Sequence, residues 1–362
     1  MLGLVALGLT VFMIYTLVKN ALVGKQLSSD DTYTGTVELI IPITARSEFY
    51  LEPWMKALES FKSTPANLKI HILIDGHHPS MAVWQELSTR LPCVELNSFL
   101  MRPSDTEAIP WMIEQISSKI KSSVVIIGDA ELVPTEHAFA SLSKLVSEKQ
   151  KPCFALPQTA KLNPLGEAVA VLNPTLALAS VFGFRKIRRN LSHPLMSIAL
   201  GWMAMPLQTF QELNFSKITS RSWKQAMANQ WDKKGETFIL AFGEKHLLRY
   251  YPDDFKTQVF LLKEYWSELW NYADRAGLWL FLVALFLWSF PLICFFTHPF
   301  WSIASFFLLV LYRFFSKIVF QESWITIPLH PVGCLVWLGT LVWWIVTGLK
   351  TRYGSEARRS QN

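Results

Sequence analysis

The sequence predicts an α/β domain with a mainly parallel β-sheet sandwiched by helices, placed between hydrophobic segments at the two ends of the chain. Between residues 37 and 274, short β-branched runs alternate with longer helical stretches, as in parallel sheets covered by helices. At both ends, apolar runs approach the length of a membrane-spanning helix. Hydrophobic residues make up 51% of the 362 residues, with 15 Trp and 25 Phe, and the excess over a soluble composition is concentrated at these ends.

The first segment, residues 1–24, is predicted to be a transmembrane anchor. Leu2 to Val18 carries no charge, and Lys19 and Lys25 follow it. A cleaved signal peptide would have its positive charges before the apolar run, so an anchor is the favoured interpretation. Because basic residues mark the cytoplasmic flank of a membrane helix, we expect the soluble domain on the cytoplasmic side of the inner or plasma membrane.

The predicted strands and helices alternate in order along residues 37–274. Runs rich in Val and Ile predict strands, and longer stretches with helical periodicity predict helices. The strands are predicted at Val37–Pro42, Lys69–Ile74, Val94–Leu96, Ser123–Ile127 and Phe238–Phe242. The helices are predicted at Phe49–Phe61, Pro79–Arg90, Thr106–Ile120, Glu136–Glu148 and, after Trp223, as far as Trp231.

Three acidic residues follow the carboxyl ends of two predicted strands. Asp75 comes directly after the second strand, and Asp129 and Glu131 follow the apolar strand that ends at Ile127. Ligands of such sheets bind beyond the carboxyl ends of the strands, so these acids are expected beside a site. Carboxylates at alternate positions can hold one hard cation that bridges phosphate oxygens. Spacing alone also fits a solvated turn, and the apolar strand before the pair adds weight to the metal interpretation.

The C-terminal block, residues 277–349, contains three hydrophobic segments and is followed by a basic tail at 350–362. The segments are Leu278–Phe296, Pro299–Phe320 and Ile325–Leu349. Three crossings would place the basic tail on the far side of the membrane, against the positive-inside rule. The segment with Arg313 and Lys317 could instead lie in the interface or re-enter, so two or three crossings stay open.

The basic residues favour a membrane surface over nucleic acid as a partner. The net charge is +6, and no basic run is interleaved with aromatic residues. Within residues 165–215, an apolar run is followed by a basic cluster that includes Arg185, Arg188 and Arg189. This arrangement predicts an interfacial element whose basic side contacts lipid headgroups.

The order of these features resembles the family 2 glycosyltransferases of the GT-A fold, in particular the membrane-bound ceramide glucosyltransferase-like branch. The first strand and its continuation to Glu48 resemble the opening IIPARNE segment, Leu73–Gly76 resembles the DDG turn, and Asp129–Glu131 lies where the Asp-x-Asp metal motif is expected. Gly201–Met205, Phe210–Leu213 and the ending Trp343–Tyr353 are similar to the segments before the acceptor site and at the end of that branch.

This resemblance implies an inverting transfer of a sugar from a nucleotide donor to a lipid hydroxyl, with Mg²⁺ or Mn²⁺ holding the diphosphate. It implies that Glu48, Asp75 and Asp129 contact the donor. It also implies that Asp129 and Glu131 hold the metal.

Three tryptophans are expected on the acceptor or membrane side. Trp202 lies in the segment that resembles the one before the acceptor site. Trp266 and Trp270 are four residues apart on one predicted helix face, where they could stack on a sugar or lipid or lie in an interfacial aromatic belt.

The chain departs from the family pattern where the general base is expected. The family opens a helix with an acidic pair, whereas Ser220–Trp223 has no carboxylate, and the Gln-x-x-Arg-Trp motif is also absent. Glu244, Asp253 and Asp254 are the remaining candidates for a base. These departures leave an alternative open, a catalytically inactive relative that keeps the fold and nucleotide binding.

Overall fold

The structure, a computed structural model, describes residues 2–22, 25–28, 31–43, 50–60, 67–100, 107–159, 201–218, 223–235, 237–243, 246–249, 254–272, 275–295, 299–320 and 324–359. The strands are β1 Lys25–Gln26, β2 Val37–Pro42, β3 Leu68–Asp75, β4 Val94–Phe99, β5 Val124–Ile127, β6 Leu132–Pro134, β7 Cys153–Leu156, β8 Gln158–Thr159, β9 Trp202–Pro206, β10 Ile239–Phe242 and β11 Leu247–Arg249. The helices are α1 Leu2–Ala21, α2 Leu51–Ser60, α3 Met81–Arg90, α4 Ala108–Ser117, α5 Glu136–Lys149, α6 Leu207–Gln211, α7 Trp223–Asp232, α8 Phe255–Tyr272, α9 Arg275–Phe295, α10 Pro299–Phe320 and α11 Thr326–Arg359.

The predicted mainly parallel sheet covered by helices is confirmed. Within the described residues an eight-stranded sheet has the order β1-β10-β7-β9-β5-β2-β3-β4. Strand β9 is antiparallel to both of its neighbours, and every other pairing in this sheet is parallel. A smaller sheet has the order β6-β11-β8, and its strand β6 directly follows the Asp129–Glu131 turn.

The central strands are buried along their whole length because helices cover both faces of the sheet. All six residues of β2 and all four of β5 are buried, as is usual for a parallel sheet between two helix layers. Alternate residues separate into two cores. Leu39, Ile41 and Trp202 lie in one core, while Ile40 and Met203 lie in the other, which continues into the C-terminal helices.

Helices α1, α9, α10 and α11 pack together into a bundle whose outer surface is apolar and whose interior contains both apolar and polar side chains. Its outer surface carries large apolar side chains, among them Trp279, Phe307 and Leu335. Its interior buries polar side chains, namely Thr10, Thr16, Asn20, Ser289, Arg313, Ser316, Thr326, His330 and Thr340. The described part of the bundle thus combines an apolar outer surface with several buried polar side chains.

One helical segment of the described chain is long and apolar enough, by length and composition, to cross a membrane. It runs from Thr326 to Thr347 and has a mean hydropathy of 1.7 over its most apolar stretch. Leu7–Asn20 and Arg275–Phe290 are shorter apolar stretches. Helix α11 continues without a break to Arg359, through most of the segment that the sequence predicts as a separate basic tail.

A buried carboxylate fixes the amino-terminal ends of the central strands. Glu38 Oε2 accepts hydrogen bonds from the backbone N–H of Lys121 at 2.9 Å and of Ser122 at 3.2 Å. Its Oε1 lies 3.7 Å from Nε2 of the fully buried His71. Burial acts to raise the pKa of Glu38, but the His71 ring and the two N–H donors outweigh it and hold this pKa below its ordinary value.

The stabilisation by Glu38 is expected to disappear in acid. Because the folded-state pKa is the lower one, the contribution is complete above the unfolded-state pKa of 4.5 and is lost as the pH falls through the folded pKa. At pH 7, Glu38→Gln should cost about 1–3 kcal/mol of unfolding free energy, measured by urea titration. The difference from the parent should be constant from pH 7 to about 5 and shrink below that. A difference that persists to pH 3 would contradict this, and Glu52→Gln, on the exposed face of α2, is the control.

Candidate functional site

The candidate site lies where the strand order of the large sheet changes direction. From β2 the chain adds β3 and β4 on one side, and it then adds β5 on the other side of β2. The carboxyl ends of β2 and β5 therefore meet at a topological switch point, where sheets of this kind form a ligand crevice. The turn of residues 128–131 follows β5 directly, so the predicted acids of this turn lie at that point.

Two tryptophans hold the turn that carries Asp129. Trp54 of α2 donates a hydrogen bond from Nε1 to the Ala130 carbonyl at 2.8 Å. Trp202 stacks on Trp54 with ring centroids 6.2 Å apart. A Cβ atom at Gly128 would lie 2.7 Å from Nε1 of Trp202, closer than van der Waals contact allows, so the close approach requires glycine. The turn is thus supported by buried side chains on its inner side.

Asp129 is held by a backbone donor and by a basic side chain. Its Oδ2 accepts a hydrogen bond from the N–H of Gly201 at 3.0 Å, just before β9 begins. The same oxygen forms an ion pair with the ammonium group of Lys224, in the first turn of α7. Helix α7 begins at the end of Ser220–Trp223, the stretch where the resemblance implies an acidic pair and the sequence has no carboxylate.

Glu131 has a separate basic partner. Nη2 of Arg249, at the end of β11, lies 3.4 Å from Oε2 of Glu131, and both side chains are buried. The Arg249 guanidinium also lies over the ring of Tyr265, 5.7 Å from its centroid. Among the described residues, no group of three or more His, Cys, Asp or Glu side chains could hold a metal ion. Each acid of the pair thus has its own neutralising cation.

Asp75 lies at the same edge of the sheet as Asp129. Strand β2 lies between β3, which ends at Asp75, and β5, which leads to Asp129. Asp75 is exposed, and its Oδ1 accepts a hydrogen bond from the N–H of His77 at 2.9 Å. The adjacent His78 turns toward Ser80, whose Oγ is 2.8 Å from Nδ1. Asp75 is therefore accessible to a ligand that lies along the carboxyl edge.

Two of the three tryptophans expected on the acceptor side lie in the core, which corrects that expectation. Trp202 is fully buried against Trp54, because β9 is a central strand with helices on both faces. Trp266 is also buried and donates a hydrogen bond from Nε1 to Thr340 Oγ1 of α11 at 3.2 Å. Trp270, one turn further along α8, is 56% exposed. Trp266 packs between Phe281 and Trp337, whereas Trp270 on the same face contacts Trp344 and stays exposed.

Asp254, one of the candidate bases, caps a helix. Its Oδ2 accepts hydrogen bonds from the N–H and the Oγ1–H of Thr257, at 2.8 and 2.7 Å. These bonds lower the pKa of Asp254, which weakens it as a base. The remaining expected site residues lie outside the described residues, and they are Glu48, Arg185, Arg188, Arg189, Glu244 and Asp253.

Sequence reasoning did not find four contributors to the site, which are Trp54, the Gly201 N–H, Lys224 and Arg249. A signal existed for one of them. Lys224 is the second residue of α7, and the stretch before it lacks the acidic pair that the resemblance implies. A carboxylate that binds no metal ion needs another cation to balance its charge, and a nearby lysine is a candidate. The other three depend on contacts between segments that are far apart in the sequence, for which the local pattern carries no signal.

Comparison with known proteins gives structural likeness without a family assignment. No family model matches the sequence, and no curated protein matches it. The mannosyltransferase PcManGT from Pyrobaculum calidifontis, solved with GDP-Man and Mn²⁺, is similar over 93% of this chain and 98% of its own, with 12% identity and a TM-score of 0.45. TarS 1–349 of S. aureus is similar over 76% of this chain and 80% of its own, with 10% identity and a TM-score of 0.41.

A third similar structure is glucosyl-3-phosphoglycerate synthase from Mycobacterium tuberculosis with Mn²⁺, UDP and glucosyl-3-phosphoglycerate. The similar region spans 57% of this chain and 70% of that chain, with 14% identity and a TM-score of 0.38. At such identities and scores, a functional assignment has to rest on the residues of the site.

Proposed function

We propose that the chain is a membrane-associated glycosyltransferase that moves a sugar from a nucleotide donor to a lipid acceptor. The observation that carries the proposal is the position of Asp129, on a supported turn at the switch point of a mainly parallel sheet, with the exposed Asp75 at the same edge. Crevices at this point accept nucleotides in sheets of this class. The order of sequence segments that resembles the family 2 glycosyltransferases supports the same assignment.

The proposed reaction exchanges one bond at the anomeric carbon of the sugar. The bond from that carbon to the donor diphosphate breaks, and a bond from the acceptor oxygen forms on the opposite face, which inverts the configuration. The diphosphate leaves with the bonding electron pair, and the hydroxyl proton passes to a carboxylate base. Glu244 and Asp253 stay the sequence candidates for that base, and positively charged donors near Asp129 stabilise the leaving group.

The apolar outer surface of the helix bundle supports a lipid acceptor and a membrane location. Apolar side chains such as Phe307 and Leu335 face outward, and the bundle shares a continuous apolar core with one face of the sheet. A bilayer around this bundle would hold the α/β domain close to lipid hydroxyl groups. The basic residues after the first hydrophobic segment favour the cytoplasmic side for that domain.

The residues described around Asp129 do not fit the divalent cation that the family resemblance implies. The Asp129 carboxylate holds the Lys224 ammonium, and Glu131 is engaged with Arg249 inside the protein. A dication at Asp129 would have to displace Lys224 or lie beside its positive charge. No step of the proposed reaction is therefore assigned to Mg²⁺ or Mn²⁺.

A second candidate function is a catalytically inactive relative that binds a nucleotide and acts as a partner or regulator. The observation that favours it is the absence of a carboxylate from Ser220–Trp223, together with the Lys224–Asp129 ion pair at the start of α7. This candidate shares the nucleotide site with the enzyme and differs from it in turnover.

Turnover with a panel of UDP- and GDP-sugars is expected to separate the two candidates. The full chain in lipid nanodiscs should release nucleoside diphosphate, and Asp129→Ala should lower the rate at least about 100-fold because a charged group at the reacting centre is lost. Assays with and without Mg²⁺ or Mn²⁺ would show whether turnover needs a metal.

The matched control is Asp254→Asn, since Asp254 caps α8 and is expected to leave the rate nearly unchanged. Nucleotide binding without turnover in any condition would favour the inactive relative. Equal rates in the parent protein and Asp129→Ala would exclude the site assigned here.

A further inference from the structure

We infer that Lys224 supplies the positive charge that a divalent cation would supply, so that this site binds a nucleoside diphosphate without a metal. The inference rests on the proposed nucleotide-sugar function and makes it more specific. A bound diphosphate would need a positive charge beside Asp129, and Lys224 is the basic side chain that pairs with Asp129.

The first support is the position of the ammonium group. Lys224 lies in the first turn of α7 and pairs with Asp129, the acid at the switch point. The side chains are 10% and 16% exposed, so the pair lies at the edge of the core, where its outer side can meet a ligand. Arg249 is buried to the same degree as Lys224, but it pairs with Glu131 and lies over the ring of Tyr265.

The second support is electrostatic. Asp129 already holds one full positive charge and one N–H dipole, from Lys224 and Gly201. A divalent cation on the same carboxylate would lie within a few ångströms of the ammonium group, where repulsion in a partly buried site is strong. Glu131 would have to break its pair with Arg249 to help as a ligand. Asp129 therefore serves to position the Lys224 ammonium group, while Glu131 is engaged with Arg249.

The third support is the donor chemistry of lysine at a helix start. An ammonium group has three N–H donors, so a lysine that holds a carboxylate can also donate to phosphate oxygens. Helix α7 is ten residues long, and the partial positive charge at its amino terminus acts on an anion in the same direction. Lysine and helix terminus together supply the cationic environment that a diphosphate needs.

Binding of UDP and GDP to the full chain in lipid nanodiscs, measured by calorimetry in EDTA and in Mn²⁺, tests the inference. We expect dissociation constants that agree within about twofold in the two conditions. Lys224→Met should weaken binding roughly 10- to 100-fold, which is the usual size of a charge-assisted hydrogen bond. Lys224→Arg should restore most of the affinity, because it keeps the charge near the same place.

Two further variants serve as controls for this test. Lys233→Met removes an exposed lysine just beyond the opposite end of α7 and should leave binding unchanged. Asp129→Asn combined with Lys224→Met removes both charges, so it should fold without an unpaired buried carboxylate and should still bind nucleotide poorly. A double variant with parental affinity would overturn the role of Lys224.

The remaining outcomes are separable. Binding that appears only with Mn²⁺, and that survives Lys224→Met, would overturn the inference and leave the proposed function standing. No binding of UDP or GDP in either condition would count against the nucleotide site itself. Metal-independent binding that is lost in Lys224→Met and kept in Lys224→Arg would support both.

Discussion

Trp202→Ala is expected to remove about 3–5 kcal/mol of unfolding free energy, a large part of the roughly 5–15 kcal/mol that stabilises a typical domain. The indole is fully buried in the centre of the sheet, where it stacks on Trp54 and lies 5.7 Å from Phe139, measured between ring centroids. Alanine leaves a cavity that the strands and helices around it cannot close, because both faces of the sheet are already covered. Thermal and urea unfolding followed by far-UV circular dichroism would measure the loss.

The same substitution should also disturb the candidate site. Trp202 lies directly behind Gly128, so the cavity opens under the turn that positions Asp129. Trp202→Phe keeps a stacked ring and should lose less stability than Trp202→Ala. Trp270→Ala removes an exposed tryptophan that contacts Trp344, and it should cost about 1 kcal/mol. Equal losses at positions 202 and 270 would mean that the core is not where the structure places it.

The parallel half of the sheet could be predicted from the sequence because its strands are buried on both faces. A strand with two covered faces is a continuous Val- and Ile-rich run, and Val37–Pro42 and Val124–Ile127 both have this form. The predicted helix ends differ from the observed ones by up to three residues, since the helical pattern continues into the flanking turns. The positions of Asp75 and Asp129 could be predicted as well, because each acid comes within two residues of the end of an apolar run.

Strand β9 and the partners of the two acids could not be predicted in this way. Trp202–Pro206 contains no Val or Ile, and its place between β5 and β7 depends on pairing with segments about 50 to 80 residues away. The Lys224–Asp129 and Arg249–Glu131 pairs join residues 95 and 118 positions apart. A local pattern shows that a carboxylate is available, whereas its partner is set by the packing of α7 and β11.

Leu335→Lys is expected to remove the protein from the membrane or to destabilise it there by about 3–4 kcal/mol. Leu335 is near the middle of Thr326–Thr347, is 66% exposed, and lies on the outer face of the bundle. At the centre of a membrane helix a lysine is less favourable than a leucine by about that amount, whereas at an exposed position in water the same change costs roughly 0.5 kcal/mol or less. Carbonate extraction of membranes and thermal unfolding in lipid nanodiscs would measure the two effects.

Leu100→Lys is the matched control for this prediction. Leu100 is 68% exposed at the end of β4, so its exposure equals that of Leu335 while its element belongs to the α/β domain. If lipid surrounds the bundle, only Leu335→Lys should lose membrane association, because burial in the chain itself is the same at both positions. If water surrounds it, the two variants should behave alike, and the apolar outer surface of the bundle would then require a protein partner. Because the two leucines are similarly exposed, a difference between the variants would report the environment of the bundle and not its packing. Lipid around the bundle is what would bring the candidate site close to a lipid acceptor.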